Sequence, residues 1–204
     1  MNMAAFRTAS LAAIAILACV LVAWQFGLLS PEGSRPGSTG IAKIGGPFQL
    51  TDHNGKTRNS DEFRGKFMLV YFGYSYCPDV CPTALQIMSA ALQAMGKKAK
   101  SIQPIFITVD PKRDTPEHLN EYVKNFYPGL IGLTGNENSI SAAAKQYRIY
   151  FAKAPLNKSK PDEDDYLMDH SSIVFLMNRE GKYVTHFNHQ TSAEAMAKII
   201  SKKL

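Results

Sequence analysis

Cys77 and Cys81 stand four residues apart in Cys77-Pro78-Asp79-Val80-Cys81-Pro82, and His170 follows some ninety residues later in Asp169-His170-Ser171. Two thiols at this spacing can close on one small ion or on each other. A distant imidazole at a strand end can supply a third ligand. Thiolates with an imidazole are the donor set that suits copper, Cu(I) in particular. The thiolate, not the thiol, binds metal and attacks disulfides.

Other readings of the cysteine pair stay open at this level. As a structural disulfide it would enclose only three residues, a loop too short to add much stability. The third cysteine, Cys19, lies in an apolar run and reads as an inert small residue. Dedicated dithiol oxidoreductases usually have two residues between their cysteines, and three stand here. The wider loop leaves room for an ion and still permits a disulfide. Val80-Cys81-Pro82-Thr83 faintly resembles peroxiredoxins, but Tyr74 and Pro78 stand where those carry threonine or serine three residues before the cysteine.

Positioning these groups requires a buried strand and a helix start. Phe67 to Phe72 is a continuous apolar run that predicts a central strand buried on both faces. The cysteines follow it directly, and Pro82 to Met95 predicts a helix ended by Gly96. Both sulfurs then lie near a helix N-terminus, where free amides and the helix dipole favour thiolate. Further strands are predicted over Ile105–Val109 and Leu130–Leu133, with helices opened by Thr115-Pro116 and spanning Ser139–Tyr150. Asn54-Gly55 marks a hairpin joining Phe48–Thr51 to Thr57–Asn59. A second hairpin joins Ile173–Met177 to Tyr183–Phe187, and Thr191 with Glu194 predicts a capping box for the last helix. This order is α/β and thioredoxin-like, with an N-terminal hairpin and insertions. The cysteines fall beyond a strand's carboxyl end, where open α/β sheets place their sites.

Leu11 to Trp24 is unbroken apolar sequence, extended by Ala9 and by Phe26 to Leu29 to about twenty residues, the length of one transmembrane helix. Arg7 and the amino terminus are the early positive charges, which favours a cytoplasmic N-terminus with the remainder outside. A cleaved signal or a lipoprotein box ending at Cys19 are the rival readings, and both also place the domain outside the cytoplasm. The expected organisation is therefore 1–29 as cytoplasmic tip and anchor, with residues 9–29 in the membrane, 30–46 as a flexible tether, and 47–204 as the folded domain. The tether carries Pro31, Pro36 and five glycines.

The 204 residues carry a net charge of +6. The surplus lysines are scattered and form no stripe interleaved with aromatics, which argues against nucleic-acid binding. His53 beside Asn54-Gly55 and His118 on its helix read as solvated. His186 and His189, three apart, leave a second metal site open. Asp110 could tune the site or cap its loop through Arg113; Asp79 could modulate the thiols or be solvated. The acidic run Asp162 to Asp165 reads as a solvated loop or a docking patch.

Cys77-Pro78-Asp79-Val80-Cys81-Pro82, Asp110-Pro111-Lys112-Arg113-Asp114-Thr115 and Asp169-His170-Ser171 resemble, in order, the three signature blocks of the Sco/SenC copper proteins. The resemblance spans about residues 40–204 and includes the N-terminal anchor. It implies a thioredoxin-like fold and copper, Cu(I) or Cu(II), bound by Cys77, Cys81 and His170. It also implies a metallochaperone that assists assembly of the dinuclear copper A site of cytochrome c oxidase. The partners to expect are the copper-site subunit of the oxidase, other copper chaperones and thiol reductants. The bacterial inner membrane, with the domain in the periplasm, is the expected location, ahead of the mitochondrial inner membrane. The alternative is a thiol-disulfide oxidoreductase that reduces the cysteines of the oxidase copper site, with Cys77 and Cys81 as its redox pair. His170 separates the two, because dithiol exchange has no need of it.

Overall fold

Residues 16–23, 43–156 and 165–204 are described by the structure, a computed structural model. The chain divides into two units, Met1–Ile41 and Ala42–Leu204. In the first, residues 16–23 are helical, with Ile16, Leu17, Val20, Leu21 and Val22 exposed. Among the described residues no helix is long and apolar enough to cross a membrane. The rest of the expected anchor, most of the tether and most of the acidic run lie outside the described residues.

The second unit is built on a seven-stranded sheet in the order β2-β1-β5-β4-β3-β8-β9. Its strands are β1 (Gln49–Asp52), β2 (Thr57–Asn59), β3 (Phe67–Gly73), β4 (Ile102–Thr108), β5 (Ile131–Thr134), β8 (Val174–Met177) and β9 (Tyr183–Phe187). A separate two-stranded sheet pairs β6 (Phe151–Pro155) with β7 (Tyr166–His170). Four helices accompany them: α1 (Val80–Met95), α2 (Pro116–Val123), α3 (Glu137–Gln146) and α4 (Ala193–Ser201).

All seven residues of β3 are buried, as the unbroken apolar run predicts. Fully burying a large apolar side chain such as Leu69 or Phe72 stabilises the fold by about 1.5–3 kcal/mol. β3 runs parallel to β4 and antiparallel to β8. Gly73 pairs with Thr108, so β3 and β4 end level with each other. Val109 N–H then donates to the Gly73 carbonyl at 2.8 Å. The loop after β3 therefore lies beside the loop after β4, and the first and second signature blocks meet there.

Both predicted hairpins are present, β1–β2 and β8–β9. Thr115 caps α2 by accepting from His118 N–H, with Pro116 in the first turn, and Gly96 closes α1 with φ 55°. Three expectations need correction. Helix α1 begins at Val80, two residues before Pro82. Proline at the third helical position loses an N–H that has no intrahelical partner there anyway. Helix α3 ends at Gln146 and not at Tyr150, because Arg148 turns left-handed at φ 59°. That turn buries Tyr147 against Phe72 and Phe175 and brings Ile149 inward. The cap of α4 is Ser192, which accepts from Ala195 N–H. Thr191 is already engaged, donating its hydroxyl to Asn188 at 3.1 Å.

Candidate metal-binding and thiol site

Cys77 sits in the turn between β3 and α1, its N–H donating to the Tyr74 carbonyl at 3.3 Å. Cys81 lies in the first turn of α1 and is 0% exposed. Its backbone N–H, one of the free amides of that helix end, donates to Cys77 Sγ at 3.4 Å. The four-residue spacing thus puts the first sulfur on the amide of the second. Both are free thiols.

His170 is the last residue of β7, paired with Phe151 of β6. The strand end is as expected from the sequence, whereas the β6–β7 pair has no clear signal there. This small sheet carries the imidazole to the cysteines, with Nε2 at 3.2 Å from Cys81 Sγ. Nδ1 lies 3.3 Å from the Ser171 carbonyl. A carbonyl only accepts, so with the ring proton on Nδ1 the Nε2 lone pair is free to bind a metal. That is the ligating form of a neutral imidazole. The rings of Tyr74 and Tyr71 stand edge-on to the imidazole, at 5.9 and 6.2 Å between centroids. Tyr71 is itself tied to Ser172, with 3.1 Å between the hydroxyls.

The two thiols are electrostatically unlike. The Cys81 thiol donating to it, with help from His170 and from the amides of Asp79 and Cys81, holds Cys77 well below the usual thiol range. Cys81 is pushed up, first by its bond to the Cys77 sulfur and then by burial. The arrangement is therefore one thiolate and one thiol, with the thiolate on the accessible side. Cys77 and His170 line a cavity of about 630 Å³, bordered by Val80, Ile87, Leu167 and Asp169. Gly73 is required beneath it, since a Cβ there would stand 2.9 Å from Cys81 Sγ.

Among the described residues, no group of three or more His, Cys, Asp and Glu side chains is already spaced around an ion position. Cys77, Cys81 and His170 bond to one another instead, and a small ion would enter by replacing those contacts. Asp79 is the cap position of α1 without a side-chain capping bond, and it accepts from the Thr83 hydroxyl at 3.4 Å. Asp110 is buried in an ion pair with Arg113 and accepts from the Tyr166 hydroxyl at 2.9 Å. It caps its loop, one of the two roles left open.

The histidines divide. His53, expected to be solvated, accepts at Nδ1 from Gly132 N–H at 3.1 Å. His118, also expected to be solvated, is half-buried with Nε2 2.8 Å from Ser75 Oγ and its ring stacked on Tyr76. Its contacts with Ser75 and Tyr76 are what cover it. His186 is bonded through Nδ1 to the Tyr183 hydroxyl at 2.6 Å, whereas His189 lines the cavity of Cys77 and His170. Asp114, whose place beside the site the sequence does not reveal, is 0% exposed and accepts from Ser75 and Thr108. An acid immediately before the cap residue Thr115 was the signal available, and it pointed only to a helix start.

The SCO1/SenC family model matches residues 36–204. An SCO2-like protein of Rickettsia prowazekii is 44% identical over 157 residues, covering 77% of this chain and 75% of that protein. The protein sco1 of Schizosaccharomyces pombe is 42% identical over 162 residues, covering 79% of this chain and 61% of its own. Among solved structures, copper-bound ScoI of Bradyrhizobium japonicum superposes with a TM-score of 0.71 at 44% identity, covering 79% of this chain and 99% of that one. Copper-bound yeast Sco1 gives a TM-score of 0.71 at 38% identity, covering 78% and 87%. The thioredoxin-like α/β fold is common to them.

Proposed function

Since the chain belongs to the SCO1/SenC family, we propose that it is a copper metallochaperone that helps assemble the dinuclear copper A site of cytochrome c oxidase. Copper is its cargo, held by Cys77, Cys81 and His170. The observation that carries this reading is the approach of His170 Nε2 to Cys81 Sγ at 3.2 Å. A dithiol alone has no use for an imidazole nitrogen placed there. Two thiolates and a neutral imidazole suit Cu(I) and leave a net charge of about −1 beside a helix N-terminus, which tolerates it. Three protein ligands leave the ion open to an incoming one, as a carrier that must release its load requires. The relatives with copper bound support the cargo.

The exposed apolar side chains of residues 16–23 support a membrane anchor in the first unit. We place the second unit on the periplasmic side of a bacterial inner membrane, where the copper-site subunit of the oxidase would be its partner.

Titrating Cu(I) and Cu(II) into the reduced full chain in mild detergent tests the reading. One copper per chain is expected, lost on oxidation of the cysteines. Equal binding by the reduced and oxidised forms would overturn it.

The thiolate–thiol asymmetry favours a second reading, disulfide reduction. The Cys77 thiolate would attack a partner disulfide and release one partner thiolate. Cys81, giving up its proton, would then attack the Cys77 sulfur and release the second. Two electrons pass to the partner, and the protein is left with a Cys77–Cys81 disulfide.

A further inference from the structure

We propose that Asp114 is a positioning residue for Cys77, acting through Ser75, and that it makes the sulfur pair ready to close on an ion or on each other. The inference rests on the proposed use of Cys77 and Cys81 and adds a residue outside the donor set.

Cys77 is carried by a turn that has little regular structure of its own, Tyr74 to Asp79. Asp114 holds that turn from the far side. One carboxylate oxygen accepts from Ser75 N–H at 3.0 Å, and the other accepts from the Ser75 hydroxyl. The same carboxylate accepts from the Thr108 hydroxyl at 2.6 Å, which ties it to the end of β4. Since Ser75 Oγ donates to Asp114, it accepts from His118 Nε2 at 2.8 Å. Thr108 Oγ1 in turn accepts from Asp110 N–H at 2.9 Å.

The next residue is gripped as well. Tyr76 stacks on the His118 ring at 5.0 Å and 19° on one contact, and the Arg113 guanidinium lies 4.8 Å from its ring centre on another. Residues 113, 114 and 118 thus fix residues 75 and 76, immediately before Cys77. Tyr76 is 51% exposed, so its position is not enforced by burial. Charge-assisted bonds to a buried carboxylate are the strong class, and they remove freedom that binding would otherwise have to remove. The carboxylate bonds of Asp114 run to Ser75 and Thr108, so its effect on the sulfurs passes through the turn.

The test uses the full chain in mild detergent with two probes. One is Cu(II) alone, read as affinity and visible spectrum. The other is the equilibrium of the Cys77–Cys81 pair against reduced and oxidised glutathione. Ser75→Ala should weaken both copper affinity and disulfide formation by about tenfold, the size of one charge-assisted hydrogen bond. Ser75→Thr, which keeps the hydroxyl, should restore both. Asp114→Asn should act in the same direction and more strongly. Leu133→Ala, a cavity variant on β5 that leaves Ser75, Thr108 and Asp114 in place, controls for lost stability. It should lower the melting temperature at least as much while leaving both equilibria unchanged. Wild-type values in Ser75→Ala overturn the inference, and so do equal losses in Ser75→Ala and Leu133→Ala. If Asp114→Asn does not fold, the serine pair decides alone. If the wild-type chain binds no copper, the copper reading fails and the glutathione equilibrium judges the positioning role by itself.

Discussion

Cys81 Sγ lies 3.2 Å from His170 Nε2, although 89 residues separate them in the chain. One comes from the first turn of helix α1 and the other from the end of β7, in the separate two-stranded sheet. This contact sets an imidazole nitrogen beside the pair of sulfurs.

His170→Ala should separate metal binding from thiol chemistry. On the proposed reading the imidazole is a ligand in the first and a bystander in the second. Copper affinity should fall by about tenfold or more, while the rate of exchange with a disulfide substrate stays within a few-fold. Unchanged Cu(II) spectra and affinity would leave a dithiol oxidoreductase as the better reading.

Reduced protein, free of metal, should show a stability peak near the ordinary thiol pKa, about 8.5. Cys77 is held low in the fold, so its contribution is complete above the unfolded value and is lost as pH falls. Cys81 is held high, so its contribution is complete below the unfolded value and is lost as pH rises. The denaturation midpoint of wild type minus that of the Cys77→Ser/Cys81→Ser variant should therefore rise towards about pH 8.5 and fall beyond it. Alkylation by iodoacetamide below pH 7, followed by peptide mapping, should modify Cys77 and spare the fully buried Cys81.

Gly73→Ala should damage the site through packing alone. The added methyl would stand 2.9 Å from Cys81 Sγ, 2.9 Å from the Tyr71 ring and 3.1 Å from the Phe106 ring. Overpacking of this kind costs about 1–3 kcal/mol. Chemical denaturation should show that loss, and copper titration should show weaker binding because Cys81 is displaced. A fully stable variant with wild-type copper affinity would mean that the turn after β3 yields more freely than its contacts indicate.

Exchanging residues 1–29 for another single-span anchor of the same orientation should preserve oxidase assembly in cells. The proposed contribution of the segment is a raised effective concentration at a membrane-embedded partner. A version released by a cleaved signal should support less oxidase activity at low expression and recover at high expression. Equal activity of the freed and anchored versions at low expression would remove tethering as the reason for the segment.

Much of this protein was legible in one dimension because the signals are local. The unbroken run Phe67 to Phe72 marks a strand buried on both faces, since only such a strand can hide every side chain. Thr115-Pro116 and Asn54-Gly55 declare a helix start and a hairpin through their own backbone preferences. The four-residue cysteine spacing is local too, and it suffices to put Cys77 Sγ on the Cys81 amide.

What the tertiary structure alone decided are the relations made by distant segments. β6 and β7 are short, and each is a strand chiefly because the other pairs with it, so neither carries a strong pattern. Without that pair His170 has no defined position, and the composition of the third signature block cannot say which sulfur it meets. Asp114 and His118 look like a cap neighbour and a surface helix residue, and they gain their partners only because β3 and β4 end level. The difference in proton affinity between Cys77 and Cys81 has the same origin. The helix end is available to both from their spacing, but burial and the direction of the sulfur hydrogen bond depend on what packs around them.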